Sequence, residues 1–325
     1  MPIRRSDFDA LTGDLQDIFE ETSNLAIARM GGLDLFGVQE TELYDYVIQN
    51  LHGLTGIRRV GDSENLPRIE NVEGDQLTLT QRHYGAIVPV SKEMRKFDRY
   101  DKAYGMVETV VDEGWNGIDQ SMADVLLQGW STSYTDYWGD TVASVGPDSL
   151  ALFSKVHSNP INSNTFNNVI NDGTNDNPSL SRTAVVQQIA TAKVMKDVNN
   201  LVRPVRLDTV IVPPSLEDEA RRILYSDKIS GSANNDTNMM LRSMKLIVWE
   251  RLEAAADGTD TSAYWFMCDS QYVAKTLRLL FAERPSLDPP EEVYANKDWE
   301  YSVDFFYTLG TGYPMYIFGS NGTNS

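Results

Sequence analysis

Apolar residues recur every three or four positions between 101 and 130, at Ala103, Met106, Val107, Val110, Val111, Ile118, Met122, Val125 and Leu126. This is helical periodicity, with Glu108, Asp112, Glu113, Asp119 and Asp124 falling largely between the apolar positions and no proline interrupting. Unbroken, such a helix would be roughly 45 Å long at about 1.5 Å per residue, although Gly105, Gly114 and Gly117 weaken it locally. A rod of that length predicts a scaffold on which separate lobes hang, with Met106, Val110, Ile118, Met122 and Val125 in its core stripe.

Upstream, 6–29 is also helical but polar, with a thin stripe of Phe8, Leu11, Leu15, Ile18 and Phe19. Ser6, three residues before Asp9, resembles a capping box, and Met30-Gly31-Gly32 breaks the pattern. A stripe this thin predicts docking, either on this chain's own body or on a neighbouring copy. Between 66 and 90 the period falls to two at Leu77, Thr78, Leu79 and Thr80, and Glu73-Gly74-Asp75 is expected to turn the chain back toward 66–72. The result would be a long polar hairpin with too little apolar surface for a core of its own, so it must lean on something else or serve as an annex of the main sheet.

Residues 131–146 and 159–177 have loop composition. From 181 a helix is expected, capped by Ser181 or Thr183, with Val185, Ile189, Ala192, Met195 and Val198 on one face and an end near Asn199-Asn200. A buried strand over 207–212 stops at Pro213-Pro214, and Ser215 should cap a short helix over 216–224 whose first turn carries Glu217, Asp218 and Glu219. Strands follow at 245–249 and 263–268, divided by Asp257-Gly258. The last segment holds an apolar run at 277–281, a rigid connection over 285–290, and an alternating strand at 299–307 expected to pair with 313–318 across Gly310-Thr311-Gly312.

Charge narrows the function classes. Against 28 basic residues stand 47 acidic ones, a formal charge of −19 in 325 residues, which argues against sequence-specific nucleic-acid binding because phosphate contacts need a basic face. One cysteine, Cys268, sits in an apolar run and reads as a buried small hydrophobe, so there is no intrachain disulfide. No run approaches the ~20 apolar residues of a membrane span, and the start of the chain lacks a secretory pattern, so use without export and without a membrane partner is expected.

Candidate chemistry is sparse. His52, His83 and His157 are far apart and in no metal-ligand spacing, and each reads as a surface or packing residue. There is no Walker loop, dinucleotide fingerprint or GxSxG elbow, and the run Asn171 to Asp176 lacks EF-hand spacing. No catalytic residue, cofactor site or metal site is expected.

Three stretches in succession carry a resemblance. Arg82-His83-Tyr84-Gly85-Ala86-Ile87-Val88-Pro89-Val90-Ser91-Lys92-Glu93 leads directly into the long helix. The segment from Asp148 to His157 is similar to an "LFS..H" stretch, with Asn167-Asn168 after it, and that from Leu207 to Ala220 to a "VPP.LE..A" strand-to-helix element. In this order they resemble the major capsid proteins of tailed bacteriophages, the Hong Kong 97 type of α+β fold, including Mu-like head subunits.

That resemblance implies an N-terminal arm (1–50), an extended E-loop hairpin (51–95), a P-domain (96–180) with the 101–130 helix as its spine, an A-domain (181–275), and C-terminal strands (276–325) completing the sheets. It also implies E-loop contacts between subunits through Arg58, Arg59, Arg68, Glu70, Glu73 and Asp75, and an axial A-domain loop with Lys228, Asn234 and Asn235. Its partners would be other copies in hexamers and pentamers, a separate scaffold protein, a portal, possible decoration proteins, and packaged double-stranded DNA held by non-specific confinement. Assembly in the host bacterial cytoplasm would give a virion shell. The hairpin over 58–82 contains no lysine, which argues against covalent lysine–asparagine cross-linking. Removal of 57–90 is expected to leave a folded monomer. The alternatives are an encapsulin-like cargo shell and, from another class, an acidic cytoplasmic α/β enzyme or binding protein.

Overall fold

In a computed structural model, the structure describes residues 5–52, 59–62, 65–66, 72–97, 101–158, 165–196, 202–228, 237–238, 240 and 242–323. Helix α1 (Arg5–Arg29) is followed by strands β1 (Gly37–Glu40), β2 (Asp45–His52), β3 (Val72–Thr80) and β4 (Arg82–Val90). A short α2 (Lys92–Lys96) precedes the long α3 (Asp101–Leu127) and the small pairs β5 (Ser133–Thr135), β6 (Thr141–Ala143) and β7 (His157–Ser158), β8 (Thr165–Phe166). Then come α4 (Arg182–Lys193), β9 (Thr209–Val212), α5 (Glu217–Tyr225), β10 (Lys245–Val248), β11 (Trp265–Cys268), α6 (Val273–Thr276), β12 (Leu277–Leu287), β13 (Glu291–Glu292), β14 (Trp299–Thr311) and β15 (Ile317–Ser320).

Two lobes share α3. In the first, a five-stranded sheet has the order β1-β12-β14-β13, with β4 on the other side of β14. The alternation expected of 299–307 is realised, its odd-numbered side chains turning inward. That inner face packs on α3, bringing Val107, Val111, Trp115, Ile118 and Met122 together with Phe281, Tyr301, Phe305 and Tyr307 in one core. Helix α1 lies on this chain's own body, with Leu11, Leu15 and Phe19 in the same core. Of the predicted stripe on α3, Ile118, Met122 and Val125 are fully buried, while Met106 and Val110 are half-buried against its rim. The second lobe is the sheet β10-β9-β11-β15, where Val210, Val212, Trp265, Met267 and Phe318 meet Ala184, Val185, Ala220 and Leu224 from α4 and α5.

Several boundaries differ from the sequence expectation. Glu73-Gly74-Asp75 is no turn: it lies inside β3, because β2 supplies a ladder from Asp45↔Thr80 to His52↔Val72, interrupted by an irregularity between Gln49 and Leu51. The paired strands are therefore 45–52 and 72–80, different from those expected, and most of 66–71 lies outside the described residues. Ser6 lies within α1 rather than ahead of it. Ser181 does cap α4, its Oγ accepting from the Ala184 N–H at 3.2 Å, but the helix stops at Lys193. Ser215 caps nothing; its backbone N–H and Oγ both turn to the Glu253 carboxylate. The loop over 131–146 contains the β5–β6 pair, and Pro285 lies within β12, beside register shifts that accommodate it.

The largest correction concerns the C-terminus. Gly310-Thr311-Gly312 does not fold 313–318 back onto β14; β14 continues to Thr311, and β15 crosses to pair with β11 in the other sheet. At Gly312 the backbone N–H reaches the Thr276 carbonyl at 2.6 Å, and a Cβ there would stand 2.4 Å from the Lys275 carbonyl oxygen. Glycine permits a close crossing here, not a hairpin.

Candidate functional site

The β2–β3 hairpin is held at its root. Ile48, Leu79 and Leu280 form a small separate core with Tyr46 and Leu77 packed against it. Leu79 sits over Gly310, where a Cβ would come within 2.3 Å of the leucine's Cδ1. Backbone ties complete the root: Thr41 N–H to the Phe281 carbonyl at 2.8 Å and Gln81 N–H to the Tyr44 carbonyl at 2.9 Å. Thr80 Oγ1 also donates to Asp45 Oδ1 at 2.7 Å. Leu43, Tyr44 and Val47 at this root, and Leu66 in the stretch between β2 and β3, are exposed. An isolated two-stranded hairpin is marginal in water, so the rest of this one calls for a covering surface.

Of the charged residues expected on it, Arg58, Arg68 and Glu70 lie outside the described residues, Arg59 is exposed, Asp75 is half-buried, and Glu73 is in β3. Lys228 is exposed and forms an isolated bridge to Thr237, while Asn234 and Asn235 lie outside the described residues.

Buried polar groups occur where the two lobes meet α3. Asp119 accepts from the Gly32 N–H and from Trp249 Nε1, both at 3.4 Å, and Arg251 Nε lies 3.5 Å away. Burial raises its pKa despite these partners. Asp124 accepts through Oδ1 from Gln120 Nε2 and the Ala256 N–H, each at 3.0 Å, while Oδ2 has no hydrogen-bond partner among the described residues. Desolvation pushes its pKa up to about 6. His157 is fully enclosed: Nδ1 is 2.7 Å from Asp148 Oδ2, and Nε2 is 3.1 Å from both the Leu152 carbonyl and Asn168 Oδ1. His83 instead lies on the sheet's outer face, stacked on Phe306 and 3.2 Å from Asp304; the side chain of His52 lies outside the described residues.

Asp119, Asp124 and His83 join segments distant in sequence, whereas His157 ties together 148–168, and among the described residues none is set beside a nucleophile at an open cleft. Cys268 is buried, and burial drives its thiol pKa upward, away from the reactive thiolate. Among the described residues no group of three or more His, Cys, Asp or Glu is placed to hold a metal, and no helix is long and apolar enough to cross a membrane. A groove of about 710 Å³ between α1 and α3 is walled by Glu21, Glu108, Asp112 and Glu113 with Arg29. A smaller slot of about 210 Å³ opens beside the hairpin root. The root contact of Leu79 with Gly310 escaped sequence reasoning because it joins strands more than 200 positions apart; its trace was the Leu77, Leu79 alternation.

Solved structures share this arrangement. The mature capsid of bacteriophage PhiM1 is 13% identical, covering 90% of this chain and 87% of that one, with a TM-score of 0.54. The cyanophage P-SCSP1u capsid is 10% identical over 90% and 88%, TM-score 0.53, and the capsid of an empty GTA particle 10% over 90% and 89%, TM-score 0.52. At such identity, what is shared is the fold. No curated protein matches the chain. The sequence profile of phage capsid proteins matches residues 75–318, running from β3 through to β15. With most of its length, and both sheets, inside that match, this chain belongs to the phage capsid protein family and is a structural protein of the virion shell.

Proposed function

We propose that this capsid subunit assembles as hexamers and pentamers into an icosahedral shell of the Hong Kong 97 type around double-stranded DNA. The observation that carries this reading is the hairpin of β2 and β3, anchored on the body through Ile48, Leu79 and Leu280 while Leu43, Tyr44 and Val47 beside that anchor, and Leu66 between the strands, stay exposed. In such a shell it would be the E-loop, beginning at Asp45 rather than at 51, and α3 would be the spine of the P-domain. Helix α1 would be an N-arm folded on its own subunit, and 181–275 an A-domain whose loop with Lys228, Asn234 and Asn235 faces the capsomer axis. Arg58, Arg59 and Arg68 against Glu70, Glu73 and Asp75 would set register between neighbours; exposed pairs contribute about 0–1 kcal/mol each, so they select more than they bind.

The charge of −19 suits an inner wall that must not grip DNA during packaging, and large interfaces must outweigh repulsion between subunits. This reading brings in a separate scaffold protein and a portal, allows a decoration protein, and has assembly in the bacterial cytoplasm. Negative-stain electron microscopy with size-exclusion light scattering, on the protein expressed alone and with its neighbouring genes, tests it. Closed shells or six-fold rings are expected, with nucleic acid inside when the packaging genes are present. Cargo protein in place of DNA would favour a compartment shell, and a stable monomer or dimer under every condition would overturn the proposal.

A further inference from the structure

The second lobe gathers cations that the sequence keeps apart. Helix α4 ends at Lys193, and 203–205 lies beside 192–195, with the Arg203 N–H on the Met195 carbonyl at 2.8 Å and the Val205 N–H on the Ala192 carbonyl at 3.0 Å. Arg206 gives its backbone N–H to Asp269 Oδ2 at 3.2 Å, and Asp269 Oδ1 accepts from the Gln271 N–H at 3.1 Å, which brings in the segment leading into α6. There Tyr272 stacks on Tyr316 with ring centroids 5.0 Å apart, and Lys275 Nζ stands 4.8 Å from the Tyr272 centroid. Lys193, Lys196, Arg206 and Lys275 are all exposed, and none makes an ion pair among the described residues. Elsewhere on the surface Arg221, Arg222, Lys245 and Arg284 each have a carboxylate partner.

Asp208 and Asp269 border this patch, but both are occupied. Asp269 is buried on backbone N–H groups, and Asp208 accepts from the Ser270 N–H at 2.9 Å and from its Oγ at 2.6 Å. The fold thus builds a basic face on a chain of −19, which is what phosphate contacts need. The Tyr272 ring is engaged by Tyr316 and Lys275, so it steadies an ammonium rather than offering a platform for an unpaired base, and this favours duplex over single strand. We propose that this patch contacts the phosphate backbone of double-stranded DNA without reading its sequence, and that this face of the second lobe looks into the shell. The inference rests on the shell enclosing DNA. About four phosphate contacts on so acidic a body give a weak hold that salt releases, so DNA lies against the wall and still moves during packaging.

The combined variant Lys193→Gln, Lys196→Gln, Arg206→Gln and Lys275→Gln changes exposed side chains only and should keep the wild-type melting temperature. Full-length protein, in whatever assembly state it adopts, is titrated against a short fluorescein-labelled DNA duplex by anisotropy at low salt. The wild type should bind at least tenfold more tightly than the variant. Its log Kd should rise with log salt at a slope of about 3–4, from about 0.9 per phosphate contact, and the slope should fall below about 1 in the variant. Equal affinity of the two proteins, no binding by either, or tighter binding of poly-glutamate than of the duplex would overturn the patch. In DNA-filled shells, mild formaldehyde treatment should attach DNA to the peptide carrying Lys275, and its absence there would overturn the inward assignment. Shells that hold cargo protein, or no shells at all, would remove the shell reading, whereas duplex binding is measured without them.

Discussion

Replacing Gly310 by alanine should unseat the hairpin, and a second change should restore it. A Cβ at 310 would stand 2.3 Å from Leu79 Cδ1, 2.6 Å from Cδ2 and 2.9 Å from Cγ, so the whole end of that side chain must move off its seat. Overpacking of this kind costs about 1–3 kcal/mol. Leu79→Ala alone loses the contact with Ile48 and Leu280, and at this partly enclosed site should cost about 2 kcal/mol. In the double variant the new methyl occupies space the leucine vacated, so the combined cost should fall short of additivity by about 1–2 kcal/mol. The hairpin can open without the body unfolding, so the assay is hydrogen exchange at the amides of β2 and β3, where a 2 kcal/mol loss speeds exchange about 30-fold. Strictly additive effects, or unchanged exchange in Gly310→Ala, would refute the seat.

Three further outcomes follow from the body of the fold. Val111→Pro, in the buried middle of α3, should cost about 3 kcal/mol or more and yield insoluble or unfolded protein; a cooperatively melting product would contradict the role of α3. The folded Asp124 carboxyl keeps its proton to about pH 6 against an ordinary 3.8, so its contribution to stability is greatest below about pH 4, is lost as pH rises to 6, and is flat above. Asp124→Asn removes that loss, so in urea unfolding the variant should gain about 2 kcal/mol relative to wild type between pH 4 and pH 7.5, and parallel profiles would disprove it. His157→Leu removes the partner of Asp148 Oδ2, whereas Asn168 Oδ1 keeps the Ser154 N–H, and should lower the urea midpoint by the equivalent of about 1–3 kcal/mol; an unchanged midpoint would mean these contacts are dispensable.

Deletion tests of the hairpin must also be redrawn. Removing 57–90 would take out β4, which pairs along β14 from Trp299 to Tyr307 and buries Val88 and Val90, so the product should not fold. Replacing 53–71 by a short glycine-serine link keeps both sheets and removes the tip alone.

Local patterns were legible without coordinates: the period of α3, the stripe of α1 and the alternation of β14 each follow from which side chains must leave water. So did the Ser181 cap, because a hydroxyl before an apolar helix satisfies a nearby N–H whatever lies further away. Order along the chain was enough to suggest the capsid family, since the stretch leading into α3, the LFS..H segment and the VPP.LE element sit in succession. Pairing was not legible. Glu73-Gly74-Asp75 has turn composition, yet a partner strand more than twenty positions upstream holds it extended, and Gly310-Thr311-Gly312 reads as a hairpin although its glycines serve close approach to Leu79 and to the Lys275 carbonyl. Propensity acts over a few residues, whereas ladders, seats and buried carboxylates such as Asp119 and Asp124 depend on groups brought together from distant parts of the chain, which exist as neighbours only after the chain has folded.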